Sequence, residues 1–112
     1  DSLVAIEPSE EVRTAAALFF GADSSRYNLL GGDGIDFLKK QPTSSLDLLI
    51  IDADDGNIPP KSMATSEFFT RLVLPALAED AVLAINAIGC QDTLSALQTT
   101  LQKAFPQHYS TT

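Results

Sequence analysis

The chain is 112 residues long and 45% hydrophobic, with 15 acidic against 7 basic side chains and a formal charge of -8. That leaves room for one domain at most, in a chain too apolar and periodic to be disordered and too acidic to grip nucleic-acid phosphates. The single cysteine, Cys90, excludes an internal disulfide and a multi-cysteine metal site, and no apolar run approaches the roughly 20 residues of a membrane span.

Neither Met nor a basic-then-apolar leader opens the chain at Asp1. The expectation is a cut through a longer protein of cytoplasmic origin. Leu3 to Ile6 is a short apolar run that stops at Glu7-Pro8 and reads as a buried strand. Glu10 and Glu11 suit a first helical turn, where acids complement the helix dipole. Val12, Ala15, Ala16, Phe19 and Phe20 follow at helical spacing, and Gly21 ends that helix. Tyr27 to Leu30 reads as a second strand, closed by Gly31-Gly32-Asp33-Gly34, and Ile35, Phe37 and Leu38 begin a helix that Pro42 terminates.

Leu46 to Ile51 is the clearest strand, and its near-continuous hydrophobicity predicts burial on both faces. A loop rich in Asp, Gly, Asn and Pro runs from Asp52 to Pro60. Phe68, Phe69, Leu72 and Val73 mark a helix from about Thr65 to near Pro75. Ala81 to Ile88 reads as a further strand, and Leu94, Leu97, Leu101, Ala104 and Phe105 as an amphipathic helix stopped by Pro106. The strand–helix alternation repeats about four times and indicates a parallel sheet covered by helices, an α/β fold in a single domain spanning residues 1–112.

Ligands of open parallel sheets bind at the carboxyl ends of the strands. Glu7, Asp33 and Asp52 each stand there, with Asp54 and Asp55 extending the acidic group into the next loop. A carboxylate accepts two hydrogen bonds side by side, which suits a ribose diol, an exocyclic amine or an ammonium substrate. Such residues also cap helices and make turns. Both readings stand for each acid taken alone; all of them together favour a site. The acidic surface likewise fits either a cationic substrate or simple solvation.

Several motifs fail on inspection. An EF-hand would need an oxygen donor where Gly56 stands and a Glu where Met63 stands. A haloacid-dehalogenase pattern wants Thr or Val where Gly56 stands. Ser44-Ser45 lacks the G-x-S-x-G setting of a nucleophile elbow. His108 has no catalytic neighbour in sequence, Cys90 reads as a small core or helix-start residue, and the pairs Phe19-Phe20 and Phe68-Phe69 read as core.

The ordered segments resemble the spermidine-synthase-like branch of the class I S-adenosylmethionine-dependent methyltransferase superfamily, over roughly residues 3 to 106. Val4-Ala5-Ile6-Glu7-Pro8 is similar to the family's second strand, whose terminal acid holds the cofactor ribose. Gly32-Asp33-Gly34-Ile35-Asp36-Phe37-Leu38 is similar to its GDG…FL segment, where the Asp meets the adenine amine. Asp47 to Asp55 resembles its DVII-D-x-x-D segment. In polyamine synthases the first acid of that segment assists deprotonation of the attacking amine and the second holds the substrate.

The resemblance therefore implies a Rossmann-like fold and S-adenosylmethionine as cofactor, bound by Glu7, Asp33, Gly34 and Asp52, with Asp52 and Asp55 catalytic. It implies N-methyl transfer to a protein lysine or another amine; composition and the lack of a long apolar run argue against nucleic-acid and membrane partners, and a homo-oligomer stays open. Ser66-Glu67-Phe68-Phe69, Leu74 and the Ala81 to Ile88 strand continue the match. Pro59-Pro60, Ile85-Asn86 and the Asp92 to Phe105 helix look closer to the branch's elongation-factor lysine methyltransferases.

The loop after Asp52 lacks the Ser-Asp-Pro-x-Gly-Pro sequence of the polyamine synthases, which makes an aminopropyltransferase the alternative. No strand with a G-x-G-x-G-like loop precedes Glu7. In the family that strand sits between those ending at Glu7 and Asp52. The expectation is an incomplete core, inactive in isolation, or a non-catalytic structural remnant. Only a beginning of the family's final antiparallel strands is expected, around His108 to Thr112.

Overall fold

The computed structural model describes residues 2–22 and 25–106, so His108 and the residues after it lie outside the described part. The chain divides into two compact units, Asp1–Lys40 and Gln41–Thr112.

In the first unit, β1 (Val4–Glu7) and β2 (Asn28–Gly31) pair in parallel, with Glu7 opposite Gly31. The connection is α1 (Glu10–Phe19). Ser9 starts this helix because its hydroxyl accepts the Val12 amide at 3.2 Å, satisfying one of the helix's unpaired donors. Its half-buried residues are Arg13, Ala15 and Ala16. Leu18, Phe19 and Phe20 are 71%, 76% and 84% exposed, contrary to the core role expected for the two phenylalanines. At 100° per residue Phe19 projects between Ala15 and Ala16, so its exposure comes not from the helical spacing but from the lack of any described element of this unit over the last turn of the helix. The unit ends in α2 (Gly34–Lys39), whose Leu38 is its one buried hydrophobic among the described residues.

In the second unit, β3 (Leu46–Ile51) and β4 (Leu77–Ile85) form another parallel pair. Ser44 and Ser45 sit in the turn before β3, where their amides reach the carbonyls of Pro75 and Ala76 at 2.9 Å each. These bonds start the ladder that pairs Leu46 with Leu77. An irregularity between Leu46 and Leu48 then shifts the register to Leu48 opposite Val82 and Ile51 opposite Ile85.

The strand expected at Ala81 to Ile88 thus begins and ends earlier. Glu79 and Asp80 enter it because both stay exposed beside the irregularity. Ile88 instead forms an isolated antiparallel bridge with Ile58.

The crossover between β3 and β4 begins with a 3-10 turn (Lys61–Met63). It continues through α3 (Ser66–Phe68), a π-helical turn (Phe69–Val73) and α4 (Leu74–Ala76). Thr65 caps α3 by accepting the Phe68 amide at 3.1 Å. Pro75 sits in the last turn, after which the chain becomes extended at Leu77. The final helix, α5 (Gln91–Ala104), packs on the crossover helices.

Phe69 and Val73 are fully buried, with Phe68, Ala76, Leu97 and Ile51 nearly so. Phe69 meets Phe68 and Phe105 edge-on, at ring-centroid distances of 5.2 and 6.4 Å.

Burial of β3 on both faces is not observed. Leu49, Ile51, Leu83 and Ile85 lie on the covered side, whereas Leu48, Ile50 and Val82 are 52%, 61% and 57% exposed. Successive side chains alternate between faces, and no described element of this unit covers the second one. The described strands form two separate two-stranded sheets.

Phe69→Ala should cost about 3–5 kcal/mol of unfolding free energy in urea denaturation, as for a fully buried phenylalanine. Phe20→Ala should stay within about 0.5 kcal/mol. Equal effects would contradict this placement of the core.

Candidate functional site

Parallel pairing places Glu7 and Asp33 at the carboxyl end of the β1–β2 pair. Glu7 is the last residue of β1, and Asp33 follows its register partner Gly31 by two positions. Glu7 is half-buried, and its Oε1 accepts the Ser9 amide at 2.8 Å. Its other oxygen has no partner among the described residues, nor does an ion pair neutralise the carboxylate.

The nearby cation is engaged elsewhere. Arg13 donates from one guanidinium nitrogen to the carbonyl oxygens of Glu7 and Pro8, at 2.7 and 3.0 Å. Its guanidinium lies over Gly31, where an added Cβ would come within 2.9 Å of Arg13 Cζ. A side chain at position 31 would have to displace the end of this arginine. Gly32, with φ 142, then turns the chain into the cap of α2.

Asp33 is that cap. One oxygen, Oδ1, accepts the amides of Ile35 and Asp36 at 2.8 and 3.0 Å. The second oxygen is unbonded among the described residues. Gly34 is the first residue of α2. At Asp33 the helix-capping interaction expected of a strand-end acid is real, and it occupies one side of the carboxylate.

At the carboxyl end of the β3–β4 pair, Asp52 follows β3 directly. Its Oδ1 accepts the Asn86 side-chain amide at 2.9 Å, across 34 positions of sequence. The loop beyond is bonded to itself. Asp54 Oδ1 accepts the Gly56 amide at 2.7 Å, and Asp55 Oδ1 accepts the backbone and side-chain amides of Asn57 at 3.1 and 3.2 Å. Gly56 has φ 98, open to glycine and strained for other residues. Asp54 and Asp55 are exposed turn-makers, and no bond joins either to Asp52.

The contacts of two residues in this geometry, Arg13 and Asn86, escaped the sequence reading, which named Asn86 only as part of the resemblance. Arg13 sits at the edge of the apolar helical stripe, half-buried, a placement that calls for a local partner. Asn86 closes an apolar strand, and the register carries it opposite Asp52. Among the described residues, no three His, Cys, Asp or Glu side chains are arranged to hold a metal ion, and no helix is long and apolar enough to cross a membrane.

Cys90 is exposed, not core, and stands at the N-cap of α5. Its Sγ lies 3.2 Å from Thr93 Oγ1. The Thr93 hydroxyl, together with the backbone amides of the first turn, holds the thiol below its ordinary pKa because these donors stabilise the thiolate.

No family model matches the chain, and no curated protein matches it. Its structure is similar to the crystal structure of human methyltransferase-like protein 13 in complex with SAH. The TM-score is 0.80 and the identity 21%, over 96% of this chain and 54% of that one. The chain thus spans about half the length of that structure. The likeness shows the fold: parallel strands with flanking helices, in the Rossmann-like arrangement of that structure.

The lowered thiol pKa sets a pH expectation for Cys90. Its alkylation by iodoacetamide should rise through a midpoint below that of an ordinary cysteine, and Thr93→Val should move the midpoint upward. A midpoint that ignores Thr93→Val would show that the hydroxyl does not stabilise the thiolate.

Proposed function

We propose that the protein carrying this chain is an S-adenosylmethionine-dependent methyltransferase-like protein that transfers a methyl group to an amine nitrogen. The supporting observation is the likeness, over 96% of the chain, to a methyltransferase crystallised with SAH. Because the chain covers 54% of that structure, the activity is proposed for the protein that contains the chain, not for these residues alone. The segments around Glu7, Asp33 and Asp52 support the finer placement in the spermidine-synthase-like branch.

The carboxylates fit such a cofactor in their chemistry. Glu7 keeps one oxygen unengaged beside a turn held by Ser9 and Arg13, an acceptor suited to a ribose diol. Asp33 keeps its second oxygen while the first caps α2, an acceptor suited to an exocyclic amine. Gly34, directly after it, brings no side chain to the start of the helix. S-adenosylmethionine supplies, when bound, a methyl group on a sulfonium sulfur.

Asp52 would face the acceptor amine, taking a hydrogen bond from its N–H and so directing the nitrogen lone pair. Asp55 would add negative charge that favours an ammonium group as it arrives. Catalysis on this reading is chiefly positioning and exclusion of water, with the amine proton leaving to solvent. A cytoplasmic location fits a protein-lysine acceptor.

Isothermal titration of the full-length protein with S-adenosylmethionine tests this. Glu7→Gln should weaken binding about tenfold, the loss of roughly one charge-assisted hydrogen bond. Asp33→Asn preserves helix capping, since asparagine caps as well as aspartate, and should still weaken binding. No binding, or binding indifferent to both substitutions, would contradict the proposal.

A further inference from the structure

Asp52 differs from every other acid of its loop. The carboxylates of Asp54 and Asp55 each bond to groups two residues ahead, which builds turns and needs nothing from elsewhere. That of Asp52 is held by Asn86, 34 positions away on the neighbouring strand end. Asn86 itself is placed independently of Asp52, because its backbone amide donates to the Ile51 carbonyl at 2.9 Å and extends the parallel ladder by one step. Two residues further on, the Ile88 amide donates to the Ile58 carbonyl at 2.8 Å. Pro59 and Pro60, just beyond Ile58, are buried. The acidic loop is thus tied to the segment after β4 at both of its ends.

A carboxylate at the end of a strand normally turns freely about its last torsion, whose energy profile is broad. Asn86, whose backbone is fixed to the neighbouring ladder, restricts that freedom through one bond between two exposed side chains. With Oδ1 engaged, Asp52 presents Oδ2, which has no partner among the described residues, in the orientation that this bond favours. Asn86 Oδ1 is likewise unbonded among the described residues. Together they form an acceptor pair suited to the N–H groups of an amine or ammonium.

We infer that Asn86 is a positioning residue, which holds the Asp52 carboxylate ready to accept a hydrogen bond from an amine ligand. The inference rests on the role proposed above for Asp52. Asn86 forms no bond in the reaction and transfers no proton; it fixes the acceptor before the ligand arrives, so less orientational freedom is lost on binding.

The test uses the full-length protein with n-butylammonium as amine probe, read by the 13C resonance of the Asp52 carboxyl carbon. The wild type should show a saturable shift of that resonance. Asn86→Leu, close in shape but without donors, should weaken the probe's affinity about fivefold, as for loss of one net hydrogen bond. It keeps the backbone bond to Ile51, so the amide resonances of Leu49 and Leu83 should be unmoved, which a general loosening of the β3–β4 pair would not allow.

An Asp52 resonance that ignores the probe in the wild type, or an affinity unchanged by Asn86→Leu, overturns the inference. S-adenosylmethionine titrated into the same wild-type sample keeps the two ideas apart. Cofactor binding with a probe indifferent to Asn86 defeats the positioning role alone, whereas absence of cofactor binding defeats the methyltransferase reading.

Discussion

Parallel pairing between consecutive strands is the constraint from which the candidate site follows. Antiparallel neighbours would send successive strand ends to opposite edges. Parallel neighbours joined by a helical crossover bring them to the same edge. In the second unit the ladder that runs from Leu48 opposite Val82 to Ile51 opposite Ile85 continues through the Asn86 amide. It therefore delivers Asp52 and Asn86 to one place. In the first unit the ladder ends at Glu7 and Gly31, and the arginine that covers Gly31 also bonds the carbonyl of Glu7. Packing supplies the rest. Phe69 and Val73 are fully buried in the crossover, with Phe69 between Phe68 and Phe105.

Capping and ligand binding presented themselves as competing explanations for each acid, and the geometry shows that they need not compete. Glu7 and Asp33 each devote one carboxylate oxygen to a backbone amide at a helix start and leave the other unbonded among the described residues. A side chain held in this way has already lost its rotational freedom to a local bond. The remaining oxygen is then a better acceptor for a ligand than that of a free surface carboxylate. Asp54 and Asp55 are different: their local bonds serve an exposed turn around Gly56.

Much of the fold is legible in the sequence because local periodicity and punctuation are local physics. Ser9, Thr65 and Asp33 stop extended chain and begin helices through bonds spanning two or three residues. The limits have physical reasons too. A helical stripe shows that α1 is amphipathic, but not that its small residues face the strands while Phe19 and Phe20 are left outside. The apolar run of β3 shows what both faces could bury, and Leu48 and Ile50 stay exposed because nothing described in their unit covers them. Glu79 and Asp80 hide the start of β4, since an irregular register can keep two adjacent charges in solvent. The bond between Asn86 and Asp52 spans 34 positions, and only the register reveals it.

A crystal structure of the full-length protein with S-adenosylhomocysteine addresses the central claim most directly. The expected result places the ribose hydroxyls within hydrogen-bond distance of the Glu7 carboxylate and the adenine amine beside Asp33. A ligand bound away from both carboxylates, or a protein that crystallises without it at saturating concentration, would contradict the reading of these strand ends as a cofactor site.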